Sequence, residues 1–171
     1  TEGEIEVDGK LRKVKGSIWY DRQWNCGSVL QNRTTGWDWM SLSLNETNEK
    51  MMLYRLRLKE GLNIYGGTLI HKDGTYEALK GDELQITDLD YWKSDNSGDR
   101  YPSSLAISIP HENIELELKM LKEQQELEIK ILPLVKLYYW EGMCEVNGTR
   151  NGVNVTGRSY LEITNPENRE N

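Results

Sequence analysis

The sequence has no phenylalanine, only two cysteines and two histidines, and no long apolar run. Each shortage excludes something. A membrane-spanning helix needs about 18 consecutive apolar residues, and no such run exists. Cys26 and Cys144 allow one disulfide or two free thiols, but no cysteine metal cage. His71 and His111 lie at turn edges, in His71-Lys72-Asp73-Gly74 and Pro110-His111-Glu112-Asn113, with no second His or Cys at ligand spacing. No metal site and no cofactor is therefore expected. Turn histidines also offer no Ser–His–Asp arrangement, and there is no G-x-S-x-G elbow. No glycine-rich phosphate loop is present, and Gly66-Gly67 reads as a strand bulge or kink. Positive charge is short too: 21 Lys+Arg against 28 Asp+Glu gives −7 over 171 residues. That balance argues against a nucleic-acid or anionic-membrane partner. The start, Thr1-Glu2-Gly3-Glu4, is neither basic nor apolar, so no signal peptide is expected within the chain.

What is present is a foldable chain of one-domain length. Six Trp, nine Tyr and many Leu and Ile exclude a disordered polymer. With Phe missing, Trp, Tyr and Met must fill the bulky core positions. Four Asn-x-Ser/Thr sequons begin at Asn32, Asn45, Asn147 and Asn154, and they matter only in a eukaryotic secretory pathway.

Apolar residues recur with period 2 almost throughout. Ile114, Leu116, Leu118 and Met120 alternate with Glu115, Glu117 and Lys119, and Leu127, Ile129 and Ile131 alternate with Glu126, Glu128 and Lys130. The Glu, Lys and Leu content of 112–131 favours helix, but the alternation favours antiparallel strands with one buried face. Asp8-Gly9 separates Glu4–Val7 from Lys10–Asp21, and Asp73-Gly74, Asn147-Gly148 and Asn151-Gly152 mark further turns. Other strands are predicted at Trp37–Leu44, Met51–Leu58, Ile64–Ile70 and Leu84–Tyr91. The expectation is an all-β, single antiparallel up-and-down barrel of about 9–11 strands over residues 1–164, with a disordered tail at 165–171.

Two strands are apolar on both faces. In Trp37–Leu44, Met40, Leu42 and Leu44 share one face, and Trp37 and Trp39 the other. In Met51–Leu58, Met52, Tyr54, Leu56 and Leu58 oppose Met51, Leu53, Arg55 and Arg57. Such strands are covered on both sides, by a ligand, a second domain or a partner subunit.

The string Gly16-Ser17-Ile18-Trp19-Tyr20-Asp21-Arg22-Gln23-Trp24 is followed by Gly36-Trp37-Asp38-Trp39-Met40-Ser41-Leu42 and Met52-Leu53-Tyr54-Arg55-Leu56-Arg57. Then come Tyr91-Trp92, Arg100-Tyr101-Pro102, Tyr139-Trp140-Glu141-Gly142 and Gly157-Arg158-Ser159-Tyr160-Leu161-Glu162-Ile163-Thr164. From about Gly9 to Thr164 this order resembles the lipocalin-like family of AttH-type predicted secreted hydrolases. That family includes carotenoid 1,2-hydratase, also called hydroxyneurosporene synthase, and kievitone hydratase looks related. Members are usually twice as long, with two barrels in tandem, and this chain resembles the second barrel. The resemblance implies a small apolar ligand, isoprenoid- or lipid-like, and a companion barrel or a second copy as partner. It also implies a secreted or periplasmic protein, and the sequence itself leaves a cytoplasmic location open.

Asp21 is the candidate catalytic acid. It shares a predicted strand face with Trp19, and Trp24 follows. A carboxyl among aromatic rings is desolvated, which favours the neutral acid. In the carotenoid hydratase a matching aromatic-x-Asp is the proposed proton donor, and the resemblance places Asp21 there. The competing reading pairs Asp21 with Arg22, Arg55 or a turn amide. Trp19, Trp24, Trp37, Trp39, Tyr54, Arg55, Trp140 and Glu141 are the candidate ligand-binding residues. Glu141 and Glu162 otherwise read as members of an ion-pair network with Arg55 and Arg158, and Asp38 as a cap or salt-bridge partner. The tryptophans admit two further readings, sugar stacking in a non-catalytic carbohydrate-binding or interaction domain, and plain core packing.

Overall fold

The computed structural model describes residues 1–22, 34–132, 135–164 and 166. It contains twelve strands among them: β1 (Glu2–Val7), β2 (Lys10–Lys15), β3 (Thr34–Leu44), β4 (Lys50–Leu58), β5 (Asn63–Ile70), β6 (Tyr76–Leu79), β7 (Gln85–Lys93), β8 (Arg100–Ile109), β9 (Ile114–Met120), β10 (Glu126–Leu132), β11 (Val135–Arg150) and β12 (Val153–Thr164). The all-β antiparallel expectation holds, and no described helix is long and apolar enough to cross a membrane. In 112–131, β9 and β10 follow the alternation rather than the helix propensity of Glu and Lys. The structure departs from expectation at Lys10–Asp21: β2 stops at Lys15, Gly16 still pairs with Thr1, and residues 17–22 lie outside the ladder. Apart from Pro166, the expected tail at 165–171 lies outside the described residues, as do Trp24 and Cys26.

β1 and β2 form a separate hairpin, closed by positive φ at Asp8 and Gly9 (52° and 71°). The other ten strands form one sheet in the order β6-β5-β4-β3-β12-β11-β9-β8-β7, with β10 also on β11. β12 pairs back onto β3, while β6 and β7, successive in sequence, are the two edges. Side chains reach between the two flanks of the sheet. Arg55 of β4 reaches Asp88 of β7 at 2.7 Å, and Glu77 of β6 meets His111, just past β8, at 2.8 Å.

One face of this curled sheet is the core. Met40, Leu42 and Leu44 of β3, Met51 and Leu53 of β4, Leu105, Ile107 and Ile109 of β8, and Leu161 and Ile163 of β12 are all buried. Each such side chain contributes roughly 1.5–3 kcal/mol through removal from water. Met and Leu occupy most of the volume that Phe fills elsewhere. Tyr101 and Trp140 are the fully buried aromatics among the described residues. The Trp140 indole donates to the Glu123 carbonyl at 2.6 Å and lies over Gly142, where an added Cβ would come within 2.6 Å of the ring.

Two glycine readings are revised. Gly66 and Gly67 pair in register with β4, with no bulge; Gly66 is needed because the Tyr54 ring lies across it. Asn147-Gly148 is not a turn but mid-strand, and a Cβ at Gly148 would collide with the Glu115 carbonyl of β9. The β11–β12 turn is Asn151-Gly152 alone, both at positive φ (53° and 74°).

The inner face also holds charge. Asp38, expected as a cap or salt-bridge partner, is fully buried as a partner of two arginines. Arg55 Nε donates to its Oδ2 and Arg57 Nη1 to its Oδ1, both at 2.6 Å. Arg57 Nη2 also donates to the Thr164 carbonyl at 2.6 Å, tying β4 to the end of β12. Burial works against the charge on Arg55, but the carboxylates of Asp38 and Asp88 outweigh it, so its pKa rises. Removing one partner of such a pair strands a buried charge and costs about 3–5 kcal/mol. Asp38→Asn is therefore expected to lower the urea unfolding midpoint strongly. A shift no larger than that of the exposed control Asp95→Asn would contradict this role.

Candidate functional site

Strand alternation puts a second set of side chains on the outer face of β4, β3, β12 and β11. The registers arrange them as a grid. Tyr54 is opposite Trp39, Trp39 opposite Glu162, and Glu162 opposite Glu141, giving a straight row across four strands. On one side of that row lie Leu56, Trp37, Thr164 and Tyr139; on the other lie Met52, Ser41, Tyr160 and Met143. Trp19, from the stretch after β2, packs edge-on against Trp39 with centroids 6.4 Å apart at 71°.

The acids of this face differ in environment. Glu162 is half-buried, and the Trp37 indole Nε1 donates to its Oε1 at 3.1 Å. Burial raises its pKa against that donation, and the nearby charges of Glu141 and Asp21 push it the same way. Glu141 accepts from the Tyr160 hydroxyl at 3.3 Å. Burial, together with these two glutamates, raises the pKa values of Tyr139 and Tyr160. Asp21 is exposed, and its Oδ1 accepts from the Arg22 backbone N–H at 2.8 Å. The desolvated carboxyl on this face is thus Glu162.

The predicted ligand-binding set divides between the two faces. Trp19, Trp37, Trp39, Tyr54, Glu141 and Asp21 gather on the outer side. Arg55 and Trp140 point into the core, Arg55 between Asp38 and Asp88 and Trp140 beneath Gly142. Trp24 lies outside the described residues. Neither Glu141 nor Glu162 forms an ion pair among the described residues; Arg55 is on the other face, and Arg158 reaches Glu145 at 4.0 Å. Cys144 is a buried free thiol whose pKa is pushed up to about 12 by burial.

The other end of the sheet holds a polar pocket of about 590 Å³, lined by Glu49, His71, Lys72, Asp73 and Arg150 among others. Arg150 bridges Glu49 (3.1 Å) and Glu112 (2.7 Å), and His71 Nδ1 lies 3.3 Å from Glu49. Glu77, His111 and Glu112 bring one potential ligand atom each within 4.8 Å of one another. They come from segments more than thirty positions apart, which is why spacing gave no hint of them. Here they serve as partners in His111–Glu77 and Arg150–Glu112 pairs.

Residues 1–166 match the AttH-like family, and the chain belongs to it. No curated protein matches the chain. A crystal structure from Nitrosomonas europaea assigned to AttH superposes with a TM-score of 0.73 at 24% identity, covering 96% of this chain and 48% of that one. Kievitone hydratase from Nectria haematococca superposes with a TM-score of 0.75 at 22% identity, covering 95% and 49%. The chain spans about half the length of either neighbour.

Glu162 gives a pH signature with a definite sign. Its folded-state pKa is raised, so the folded chain binds this proton more tightly than the unfolded chain. The resulting stabilisation is complete below the unfolded carboxyl value and is lost as pH rises through the folded value. Relative to Glu162→Gln, the wild-type protein is expected to lose melting temperature across that rise. A difference in Tm that stays constant from about pH 4 to about pH 8 would contradict the assignment.

Proposed function

We propose that this domain binds a small apolar molecule, isoprenoid- or lipid-like, on the outer aromatic face of β4, β3, β12 and β11. It works there as one half of an acid-catalysed hydratase, isomerase or cyclase. The observation that supports this most directly is Glu162, a half-buried carboxyl held by the Trp37 indole beside Trp39. Family membership and the fold shared with kievitone hydratase point the same way.

The chemistry suits the residues. A neutral carboxyl can protonate a carbon–carbon double bond, and aromatic faces stabilise the cation that forms. In hydration the carboxyl O–H bond breaks and its proton goes to one alkene carbon. A water oxygen bonds to the other carbon. That water then gives up a proton to a carboxylate, so the net change is one water added to one alkene. Asp21 contributes negative charge beside Glu162.

Trp fluorescence titration tests the binding. An isoprenoid alcohol is expected to quench, and Trp39→Ala to weaken its binding at least about tenfold, the loss of roughly 1.4 kcal/mol. Quenching by oligosaccharides but not by the isoprenoid would instead establish the sugar-stacking alternative, which partly exposed Trp19 and Tyr160 favour.

The domain's partner is a companion barrel or a second copy. Trp19, Met143 and Tyr160 remain 38%, 41% and 39% exposed, and an apolar patch of this kind fits an interface. Static light scattering is expected to give a mass above the 19.9 kDa of one chain. A strict monomer at high concentration would restrict the partner to a different chain or domain.

A further inference from the structure

We propose that Glu141 and Glu162 hold one proton between them, and that this pair is the acid–base group the aromatic face presents to its ligand. The assignment rests on the function proposed above and replaces Asp21 with a two-carboxylate unit.

Glu141 of β11 and Glu162 of β12 are direct cross-strand partners on the same face. Opposed residues of an antiparallel pair have Cβ atoms about 4.5–5.5 Å apart, and like charges at that spacing repel. Among the described residues nothing relieves the repulsion, because neither glutamate has a Lys or Arg partner.

The titratable groups around Glu162 among the described residues are Glu141 and Tyr139 of β11, Tyr160 of β12 and Asp21 of the stretch after β2. All are acids, and Asp21 and Glu141 both disfavour a charge on Glu162. Trp37 Nε1 donates to Oε1, while Oε2 has no hydrogen-bond partner among the described residues. Binding the proton relieves the like-charge conflict at that site. Glu141 instead receives the Tyr160 hydroxyl, a donor that suits a carboxylate.

Glu162 is the half-buried carboxyl, and Glu141 lies directly opposite it under the Tyr160 hydroxyl, so the two stand in different environments. Hydration needs one proton given and one taken. Glu162 gives up the proton, the added water loses one, and Glu141 is placed to accept it, so the pair ends the cycle with the one proton it started with.

The test is a ¹³C NMR titration of glutamate carboxyl carbons in the full chain. One resonance is expected to titrate above the ordinary glutamate range of about 4.3. It should vanish in Glu162→Gln and shift down in Glu141→Gln, both near-isosteric changes. Trp37→Phe should move it up, because the donor to the carboxylate is lost. An isoprenoid alcohol should raise it further by excluding water. The proposal is overturned if no glutamate titrates above the ordinary range, or if the raised one ignores Glu141→Gln. If the raised resonance is present but does not respond to an isoprenoid that binds, the pair is structural and its acid–base role is wrong. If the titration behaves as expected but no apolar ligand binds, the pair stands and the proposed function falls.

Discussion

Asp38 is the constraint on which the site depends. It is fully buried between Arg55 and Arg57, and those guanidiniums can satisfy it only from the inner face of the sheet. Side chains of a strand alternate, so fixing Asp38 inside fixes its neighbours Trp37 and Trp39 outside. Arg55 and Arg57 do the same for Tyr54, Leu56 and Leu58 on β4. A one-residue slip of β3 would bury two indoles and expose Met40, Leu42 and Leu44, and it would also leave two arginines without a counter-charge. The aromatic face therefore inherits its position from an ion pair on the opposite side of the sheet.

Much of this was legible in the sequence. The alternation in Ile114–Met120 and Glu126–Ile131 outweighed helix-forming composition, and strands formed there. The two-faced character of Trp37–Leu44 and Met51–Leu58 was also visible, because large apolar side chains stand on both faces of each run. What went astray was the grouping of Arg55 with Tyr54 and of Trp140 with Glu141. Neighbours in sequence are on opposite faces of a strand, and the alternation that already set Tyr54 against Arg55 applies equally to Trp140 and Glu141.

The Glu141–Glu162 apposition was legible by counting. Asn151-Gly152 is a two-residue hairpin turn, so Arg150 meets Val153, and nine residues back along each strand the two glutamates meet. The competing turn signal at Asn147-Gly148 hid that register. Its glycine answers a close approach to β9 rather than a change of chain direction. The cluster of Glu77, His111 and Glu112 was not legible at all, because it forms where one sheet edge meets the turn after β8, and no local pattern reports where a sheet's edges meet.

That meeting has a mechanical side. Among the described residues no backbone ladder joins β6 to β7. Instead Arg55 of β4 reaches Asp88 of β7, and Glu77 of β6 reaches His111 after β8, one pair near the core and one near the surface. A hydrogen-bonded seam fixes the circumference of a rolled sheet, because strand spacing is set by the N–H···O distance. A seam of long side chains does not. Across this seam the spacing is set by side-chain pairs and core packing rather than by a ladder. The grid of β4, β3, β12 and β11 is laddered on every side and so lies away from this seam, its spacing fixed by backbone hydrogen bonds.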